Sequence, residues 1–569
     1  MARRIVGWIV AASLVAASCT STSPATTTSP TTPSTTSASA TSPTTTLPPT
    51  ESDHEVAIGV ELPIGSLNPF AADGFRERIA GNLVWAIVYD LDPQTWEKIP
   101  DVVVDLPSRS GGITRNDDGT MTVRYEIVDG ARWSDGEPIT GADVAFTAEA
   151  MRDMAERGVR NVDPVMATLL AAESSGPVAS LTFSEPSLIV EDALWVVLPA
   201  HTLGDIDQIE TTEASLWPSG GPFVVDTFAP AGESRFVRNE AYWKTDAAGE
   251  RLPYLDVVTI APAGRLADGE PASPVADFVL HRFDVVPVSP TAEDVRRVEG
   301  AVEQGAELQH VRTPVIEQLT FNFSDTRLAV NPDSVNEILD FRRAIASAID
   351  PQRILAEAAV PWLPETPGLL APAGESAWSV YQNAFTVVPD LPAGAASIVT
   401  TTGNADERPR IVQALRTVFA AAGVAYESRL EDSQSFFQQT IVDGSYDIGL
   451  WAWVADGSYR GTIGLMELLD PAASPPDGNY GNWGAAGTAS DATRRFSAIV
   501  DEARTTVAAD RFDELVREAE AILARELPLI PLFSRGSAVA VWPDSVTGVV
   551  HNGTRSDFTW NIERWRRAE

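Results

Sequence analysis

The stretch DGARWSDGEPITGADVAFTAEAM, Asp129–Met151, decides the fold of this chain. The dipeptides Asp129-Gly130 and Asp135-Gly136 are typical of tight turns, because glycine adopts the positive φ that many turns need. Thr140, followed three residues later by Asp143, has the form of a capping box at the start of a helix. We therefore expect two turns that lead directly into a helix.

The acidic residues of this stretch admit three interpretations. A calcium loop of the EF-hand kind needs the spacing D-x-[DN]-x-[DN]-G, which the stretch does not contain. A carboxylate pair working as general acid and base stays open, because a chain with 79 acidic residues offers such pairs by chance. The third interpretation is architectural and is favoured by an apolar stripe along the expected helix, made of Val144, Ala148, Met151 and Ala155.

The length and charge of the chain exclude several classes of protein. With 569 residues it is long enough for two or three lobes with separate cores. Its formal net charge of -38 opposes binding to nucleic acid, because that affinity depends on basic patches that release counterions. We expect an acidic, multi-lobed protein that does not bind nucleic acid.

The amino terminus has the pattern of an export signal. Two arginines precede an apolar run from Ile5 to Ala17, which is too short to span a membrane well. Cys19, the only cysteine, follows small residues as in a bacterial lipoprotein acceptor, although Ala16 stands where such sites usually have leucine. The alternative is cleavage nearby and free secretion. Residues 20–53, rich in Ser, Thr, Pro and Ala, are expected to form a disordered tether.

The remainder of the chain alternates strand-like and helix-like segments. Met121–Ile127 alternates apolar and polar residues, which predicts a half-buried strand. Val412 to Ala422 carries an apolar helical stripe that ends at Gly423. Three further segments complete the prediction of an α/β protein: strands at Ala425–Leu430 and Tyr446–Trp453, and a helix at Ser435–Val442.

Five segments resemble a known family. Residues 127–146 resemble the signature of the family 5 extracellular solute-binding proteins, which are the oligopeptide, dipeptide and nickel receptors of ATP-driven importers. Residues 221–256, 341–355, 411–456 and 523–533 resemble further family segments in the family's order. The resemblance covers nearly everything from about residue 55 to residue 569.

This resemblance implies an α/β, bilobed periplasmic-binding-protein fold of type II, in the large three-part form called cluster C. The solute would lie in the cleft between the lobes. The implied parts are a signal peptide, 1–19; a tether, 20–53; lobe I, 54–91 with 196–283 and 525–569; an insert subdomain of lobe I, 92–195; and lobe II, 284–524.

The resemblance also implies where a ligand would bind. In peptide-binding members an aspartate after the matching strand takes the ligand's α-ammonium, and the matching residue is Asp456. The alternative for Asp456, next to Gly457, is a turn cap. Trp451 and Trp453 point the same way along their strand and either line the cleft or pack in the core.

Three further residues are candidates for the cleft. Tyr459 and Arg460 follow in a loop expected to face it, where Arg460 could meet a carboxylate. Trp483 matches a cleft-lining stretch of relatives, or is an exposed loop aromatic. The histidines have no metal-ligand spacing, so we expect neither a metal site nor a cofactor; they are His54, His201, His281, His310 and His551.

The function implied is that of an extracytoplasmic substrate-binding protein of an ABC-type importer. It would be a monomer, held at the membrane by a lipid on Cys19 or secreted, that delivers a peptide or similar small solute to a permease and ATPase complex. No hydrolase or kinase motif stands in a convincing context. Two alternatives stay open: a secreted hydrolase with a carboxylate pair in the cleft, and a non-transport envelope sensor or interaction protein.

Overall fold

The computed structural model of the chain describes most of the sequence after residue 53. The described residues are 54–70, 75–159, 161–204, 206–230, 232–264, 272–358, 369–370, 395–403, 407–454, 457–485 and 488–568. The signal, Cys19, the tether and Asp456 lie outside them, so the predictions made for those residues stay predictions. In the part of the chain that is described, no helix has the length and hydrophobicity that a membrane crossing requires.

The described residues form twenty strands and sixteen α-helices. The strands are β1 Glu55–Val60, β2 Ala86–Ile87, β3 Tyr89–Leu91, β4 Lys98–Pro100, β5 Ile113–Arg115, β6 Met121–Glu126, β7 Leu169–Ser175, β8 Val178–Phe183, β9 Val196–Val197, β10 Phe223–Thr227, β11 Ser234–Arg238, β12 Val257–Pro262, β13 Val285–Val288, β14 Glu307–Phe321, β15 Ala396–Thr402, β16 Ala425–Glu431, β17 Ile448–Val454, β18 Leu529–Val541, β19 Val546–Thr547 and β20 Arg566–Arg567. The helices are α1 Phe75–Val84, α2 Pro107–Ser110, α3 Gly141–Glu156, α4 Ile189–Ala193, α5 Ala200–Leu203, α6 Asp207–Thr211, α7 Val275–Phe278, α8 Ala292–Val302, α9 Arg327–Val330, α10 Leu339–Ala348, α11 Pro351–Glu357, α12 Glu407–Ala421, α13 Ser433–Ser435, α14 Tyr459–Leu469, α15 Asp491–Thr505 and α16 Ala509–Glu526.

One ten-stranded sheet runs through both lobes. Its strand order is β10-β11-β12-β1-β13-β18-β14-β17-β15-β16. The buried apolar residues separate into a large cluster around β1 and β12, a small one beside it around β13, and a second large one around β17 and β15. The long strands β14 and β18 join the two halves. This is the bilobed α/β architecture that the sequence predicts.

The core clusters bear on where the lobes divide. Strand β13 and helix α8 pack with the first half of the sheet, whereas residues 284–306 were predicted to open lobe II. Leu529 to Phe533, predicted in lobe I, pack in the second core. The pattern of residues along a strand does not show where that strand leaves one core and enters another. We therefore place the proposed borders inside β14 and β18.

The segment Asp129–Met151 connects the insert to the first lobe. Gly130 and Gly136 have φ of 84° and 95°, as the predicted turns require. Trp133, between the turns, is 1% exposed, and Ser134 exchanges two backbone-linked hydrogen bonds with Ser219 at 2.8 and 2.9 Å. The acids flanking these turns therefore belong to a structural junction.

The predicted capping box at the start of α3 is confirmed. Thr140 N–H donates to Asp143 Oδ2 at 2.8 Å, and the Thr140 side chain caps the first turn in return. The second oxygen of Asp143 accepts a hydrogen bond from Ala200 N–H at 3.0 Å. Three residues of the predicted stripe, Val144, Ala148 and Met151, are at most 1% exposed. This acid is thus used by architecture.

The other predicted elements agree with the structure except one. Strands β6, β16 and β17 lie where expected, and α12 is followed by Gly423 with φ of 72°. The helix predicted at Ser435–Val442 is instead a short α-helix, Ser433–Ser435, that continues as the π-helical turn Phe436–Thr440. The wider turn brings Phe436 against the ring of Trp451, with ring centres 6.1 Å apart, which an apolar pattern alone does not show.

Replacing Asp143 by alanine should destabilise the protein by about 2 kcal/mol, because two partly buried N–H groups, those of Thr140 and Ala200, lose their acceptor. The measurement is the free energy of unfolding from urea titration. Asp153→Ala is the control on the same helix, since its carboxylate pairs with Arg157 at a side chain 41% exposed and should matter by less than about 0.5 kcal/mol. Equal effects of the two substitutions would contradict the junction role of Asp143.

Candidate functional site

The two strands that cross between the lobes, β14 and β18, pair irregularly. Strand β14 pairs with β18 along its length, but the register shifts between Arg312 and Ile316. Thr313 Oγ1 donates to the Arg535 carbonyl oxygen at 3.0 Å across this gap. Gly553 lies against the Arg312 carbonyl oxygen, so closely that a Cβ there would be 2.5 Å from it. Regular ladder pairing is thus interrupted where the chain passes from one core to the other.

A buried carboxylate lies beside this interruption. Glu317 is 0% exposed and accepts hydrogen bonds from Arg535 Nε at 2.9 Å and Arg408 Nη2 at 3.3 Å. Burial alone would raise the pKa of Glu317, but the two guanidinium groups outweigh it and hold this pKa below its usual value. Because Arg535 lies on β18 and Arg408 on α12, one carboxylate ties the crossing strands to the second lobe.

Two of the candidate tryptophans lie together, and the third does not. Trp451 is 1% exposed and covers Gly449, where a Cβ would be 2.0 Å from its ring. Trp453, 8% exposed, packs edge-on to Trp451 at 6.1 Å and stacks on Tyr480 at 6.2 Å. Trp483 is 3% exposed and packs against Phe496, with ring centres 5.3 Å apart. All three tryptophans therefore belong to the second core, and Trp453 keeps the largest exposed fraction of the three.

Tyr459 and Arg460 begin helix α14 and contact the insert. Asp192 Oδ2 accepts the Arg460 N–H at 2.7 Å, so it satisfies one free donor of the helix start. The Arg460 guanidinium Nε lies 3.1 Å from Asp163 Oδ2. The carboxylates that meet Arg460 in this structure are thus the chain's own, and its predicted contact with a ligand stays a prediction.

Lys98 is the centre of this contact between insert and second lobe. Its ammonium lies 2.8 Å from Glu191 and 2.5 Å from Asp192, and 4.5 Å from the ring centre of Tyr459. Burial would lower the pKa of Lys98, but the Asp192 and Glu191 carboxylates outweigh this and hold the pKa above its usual value. Asp192 thus links a lysine of the insert to a helix start of lobe II. We call Lys98, Glu191, Asp192 and Tyr459 the insert–lobe II cluster.

Sequence reasoning missed this cluster, although one signal for it was present. The chain has 39 arginines and two lysines, Lys98 and Lys244. Both lysines lie in ion pairs, Lys244 with Asp101 at 2.5 Å. A lysine retained in a chain that otherwise uses arginine suggests a site where a compact ammonium fits and a planar guanidinium does not.

Neither a cavity large enough for a solute nor a group of metal ligands identifies a binding site in the described residues. Two cavities in the first lobe, one lined by Asp90, Tyr242 and Glu563 and the other by Trp133 and Trp217, each have a volume of about 20 Å³, which is room for about one water molecule. Within the described ranges no group of three His, Cys, Asp or Glu side chains could hold a metal ion. What the arrangement offers chemically is charge and aromatic surface between two lobes.

Comparisons with known proteins agree with this architecture. The model of the bacterial extracellular solute-binding proteins, family 5, matches residues 110–466. An uncharacterized lipoprotein of Mycobacterium tuberculosis is 24% identical over 522 residues, or 82% of this chain and 86% of that protein. The peptidoglycan-binding protein YepA of Agrobacterium fabrum is 27% identical over 210 residues, which are 34% of this chain and only 32% of YepA.

A solved structure shows the same fold. The periplasmic EDTA-binding protein EppA matches with a TM-score of 0.66 at 16% identity, over 90% of this chain and 96% of EppA. The similarity extends over both lobes and confirms the periplasmic-binding fold that the sequence predicts.

Stability should fall on acidification because of His551, which lies between the crossing strands. Its ring atom Nε2 is 2.8 Å from Ser537 Oγ of β18, and its backbone N–H donates to Gln309 Oε1 of β14. Burial lowers the pKa of His551 from 6.5 to about 4, so the unfolded chain takes up the proton first as the pH falls. The free energy of unfolding should therefore drop by about 2 kcal/mol between pH 8 and pH 5 through this residue.

Urea titrations across this pH range, with His551→Gln beside the wild type, check the prediction. The glutamine variant should lose this part of the pH dependence. His281→Gln, at an exposed position outside the crossing strands, should keep it. An unchanged slope in His551→Gln would show that the acid sensitivity originates elsewhere.

Lys98→Met should destabilise the protein by about 3 kcal/mol and separate the insert from lobe II, because two buried carboxylates lose their cation. Lys244→Met is the matched control, since Lys244 is also ion-paired but lies within the first lobe. Both variants should unfold at lower urea, but only Lys98→Met should enlarge the radius of gyration in small-angle X-ray scattering. An unchanged radius in Lys98→Met would restrict the cluster to a role inside the insert.

Proposed function

Because the chain belongs to the family 5 bacterial extracellular solute-binding proteins of ABC transporters, we propose that it captures a peptide or similar small solute between its lobes and delivers it to a membrane permease. The observation that carries this proposal is the hinge. Two lobes with separate cores are joined in one sheet by β14 and β18, whose pairing is interrupted at the crossing. Such a crossing allows one lobe to rotate against the other around a ligand.

The contacts between insert and second lobe support reversible closure. The insert–lobe II cluster consists of charged and aromatic groups, and the Arg460 to Asp163 pair adds a partly exposed one. Burying ion pairs costs desolvation that offsets much of their attraction, so such contacts specify a geometry without holding it strongly. A receptor that must release its solute to a permease needs this balance.

The proposed anchors of the solute include one carboxylate, Asp456, and one aromatic side chain, Trp453. Asp456 would pair with an ammonium group of the ligand, and Trp453, the most exposed of the three candidate tryptophans, would offer apolar surface beside it. YepA is named as a peptidoglycan-binding protein and EppA as an EDTA-binding protein, so related receptors take different solutes. A peptide is the ligand that an Asp456 anchor favours.

The proposed location is the outer face of the cell membrane, with a monomeric receptor anchored through a lipid on Cys19. A relative over most of the chain is a lipoprotein, which supports this proposal. Residues 20–53 would then hold the lobes away from the membrane at up to ~3.1 Å per residue. A secreted hydrolase remains the main alternative, and it requires turnover of a substrate.

The first test is native mass spectrometry of the protein purified without denaturation. A co-purified solute, released intact on unfolding, is expected of a receptor, whereas a hydrolase would yield a product. A strain that lacks the candidate permease would separate transport from sensing. Loss of solute uptake in that strain is expected, and an unchanged cellular role of the protein there would favour a sensor.

Asp456→Asn should weaken binding of a free-amine tripeptide, tri-alanine, by at least about tenfold, because the ammonium loses its counter-charge. Asp477→Asn, an exposed aspartate of the same lobe, is the control and should bind as the wild type does. Isothermal titration calorimetry gives both affinities. Equal affinities of the Asp456 variant and the wild type would remove the anchor assignment but not the receptor function.

A further inference from the structure

Arg555 is a charged residue of the first lobe that takes no part in the insert–lobe II cluster or in the Glu317 ion pairs. Arg555 lies in the loop 551–557, which is bound to β3 by the hydrogen bond from Asn552 Nδ2 to the Leu91 carbonyl oxygen, 2.7 Å. The same loop packs through Gly553 against Arg312 of the hinge strand. Arg555 therefore lies near the place where β14 and β18 cross between the lobes.

The contacts of Arg555 are aromatic. Its Nη2 donates to Tyr89 Oη, and its guanidinium carbon lies 5.0 Å from the centre of the Tyr89 ring. A guanidinium has five N–H donors, and the described structure gives a hydrogen-bond partner only to the Nη2 group. Among the described residues no carboxylate lies within ion-pair distance of Arg555.

The nearby acids are already paired with other cations. Asp90 pairs with Arg78 at 2.8 Å. Glu191 and Asp192 pair with Lys98, whose ammonium lies 5.1 Å from the same Tyr89 ring. Asp557, two residues along the loop, makes no ion pair with Arg555. The carboxylates of the described residues thus leave this guanidinium without an ion pair.

The Arg555 guanidinium is desolvated but not closed off from solvent. Its side chain is partly exposed. Nevertheless burial, together with the charge of Arg78, lowers the pKa of Arg555 to about 10. A guanidinium that is largely desolvated yet still reachable gains more from an incoming anion than a fully solvated one, because little water has to be displaced.

We propose that Arg555, oriented by Tyr89, is the receptor for an anionic group of the solute on the wall of the first lobe. The chemistry is that of a planar oxyanion acceptor, a carboxylate or a phosphate, which a guanidinium binds through two parallel hydrogen bonds. The inference rests on the proposed function, because it deepens the definition of the captured solute. Together with the proposed Asp456 anchor, it describes a solute that carries both charges.

The test uses the full-length mature protein and three small probes at equal ionic strength: acetate, inorganic phosphate and neutral acetamide. We expect acetate or phosphate to bind the wild type at least about tenfold more tightly than Arg555→Gln, and acetamide to bind neither. Acetate alone indicates a carboxylate solute, and phosphate alone a phosphorylated one. Absence of anion binding by the wild type, or equal binding by the variant, overturns the proposal.

Two further variants keep the test decisive. Arg566→Gln is the matched control, because Arg566 also lies over a tyrosine, Tyr254 at 3.5 Å, but is half exposed and paired with Glu250. It should bind the probes as the wild type does. Arg555→Lys retains the charge and should fold where Arg555→Gln does not. Its affinity should still fall by about tenfold, since the fork is lost, and an unchanged affinity would overturn the proposal.

The outcome is separable from that of the proposed function. A protein that retains a solute in native mass spectrometry but ignores both anions would keep its receptor function and lose the Arg555 assignment. A protein that binds anions through Arg555 but carries no solute and supports no uptake would keep the site and lose the receptor function.

Discussion

The pairing of β14 with β18 is the constraint on which the rest of the structure depends. These two strands are neighbours near the centre of the ten-stranded sheet. Strand β18 contributes residues to both large core clusters, whereas β14 contributes to the second one and, through Leu308, packs against the small cluster around β13. Strand pairing resumes on both sides of the irregularity at Arg312–Ile316, with one further register shift between Glu317 and Gln318. The relative orientation of the lobes is then decided by a few groups, among them Glu317 with its two arginines.

The positively charged side chains near the crossing of β14 and β18 stand out in this acidic protein. The chain carries a net charge of -38, yet around the crossing it places Lys98, Arg408, Arg535 and Arg555. Three of these cations are paired with chain carboxylates, and each of those pairs connects separate elements. Arg555 is the exception. The interior of the interlobe region is therefore built with opposite charges in contact, while the outer surface repels other acidic molecules.

Much of the fold could be predicted from the sequence because its signals are local. The turns at Gly130 and Gly136, the Thr140–Asp143 cap and the end of α12 depend on neighbours within a few residues. The candidate site was less predictable. Asp192 and Arg460 meet across 268 residues, and Arg555 meets Tyr89 across 466, so no pattern within a segment shows these contacts. Trp451 and Trp483 illustrate a related difficulty, since strand alternation gives the side of the sheet but not whether that side is covered.

The scarcity of lysine has a consequence for the chemistry of the whole surface. The two lysines, Lys98 and Lys244, are held in ion pairs, so the positive charge of the exterior is supplied by arginine. Exposed guanidinium groups stay protonated near neutral pH, and they do not react as amines. The exterior is therefore poor in amines, and amine-acylating compounds and reducing sugars find few side chains on it to modify.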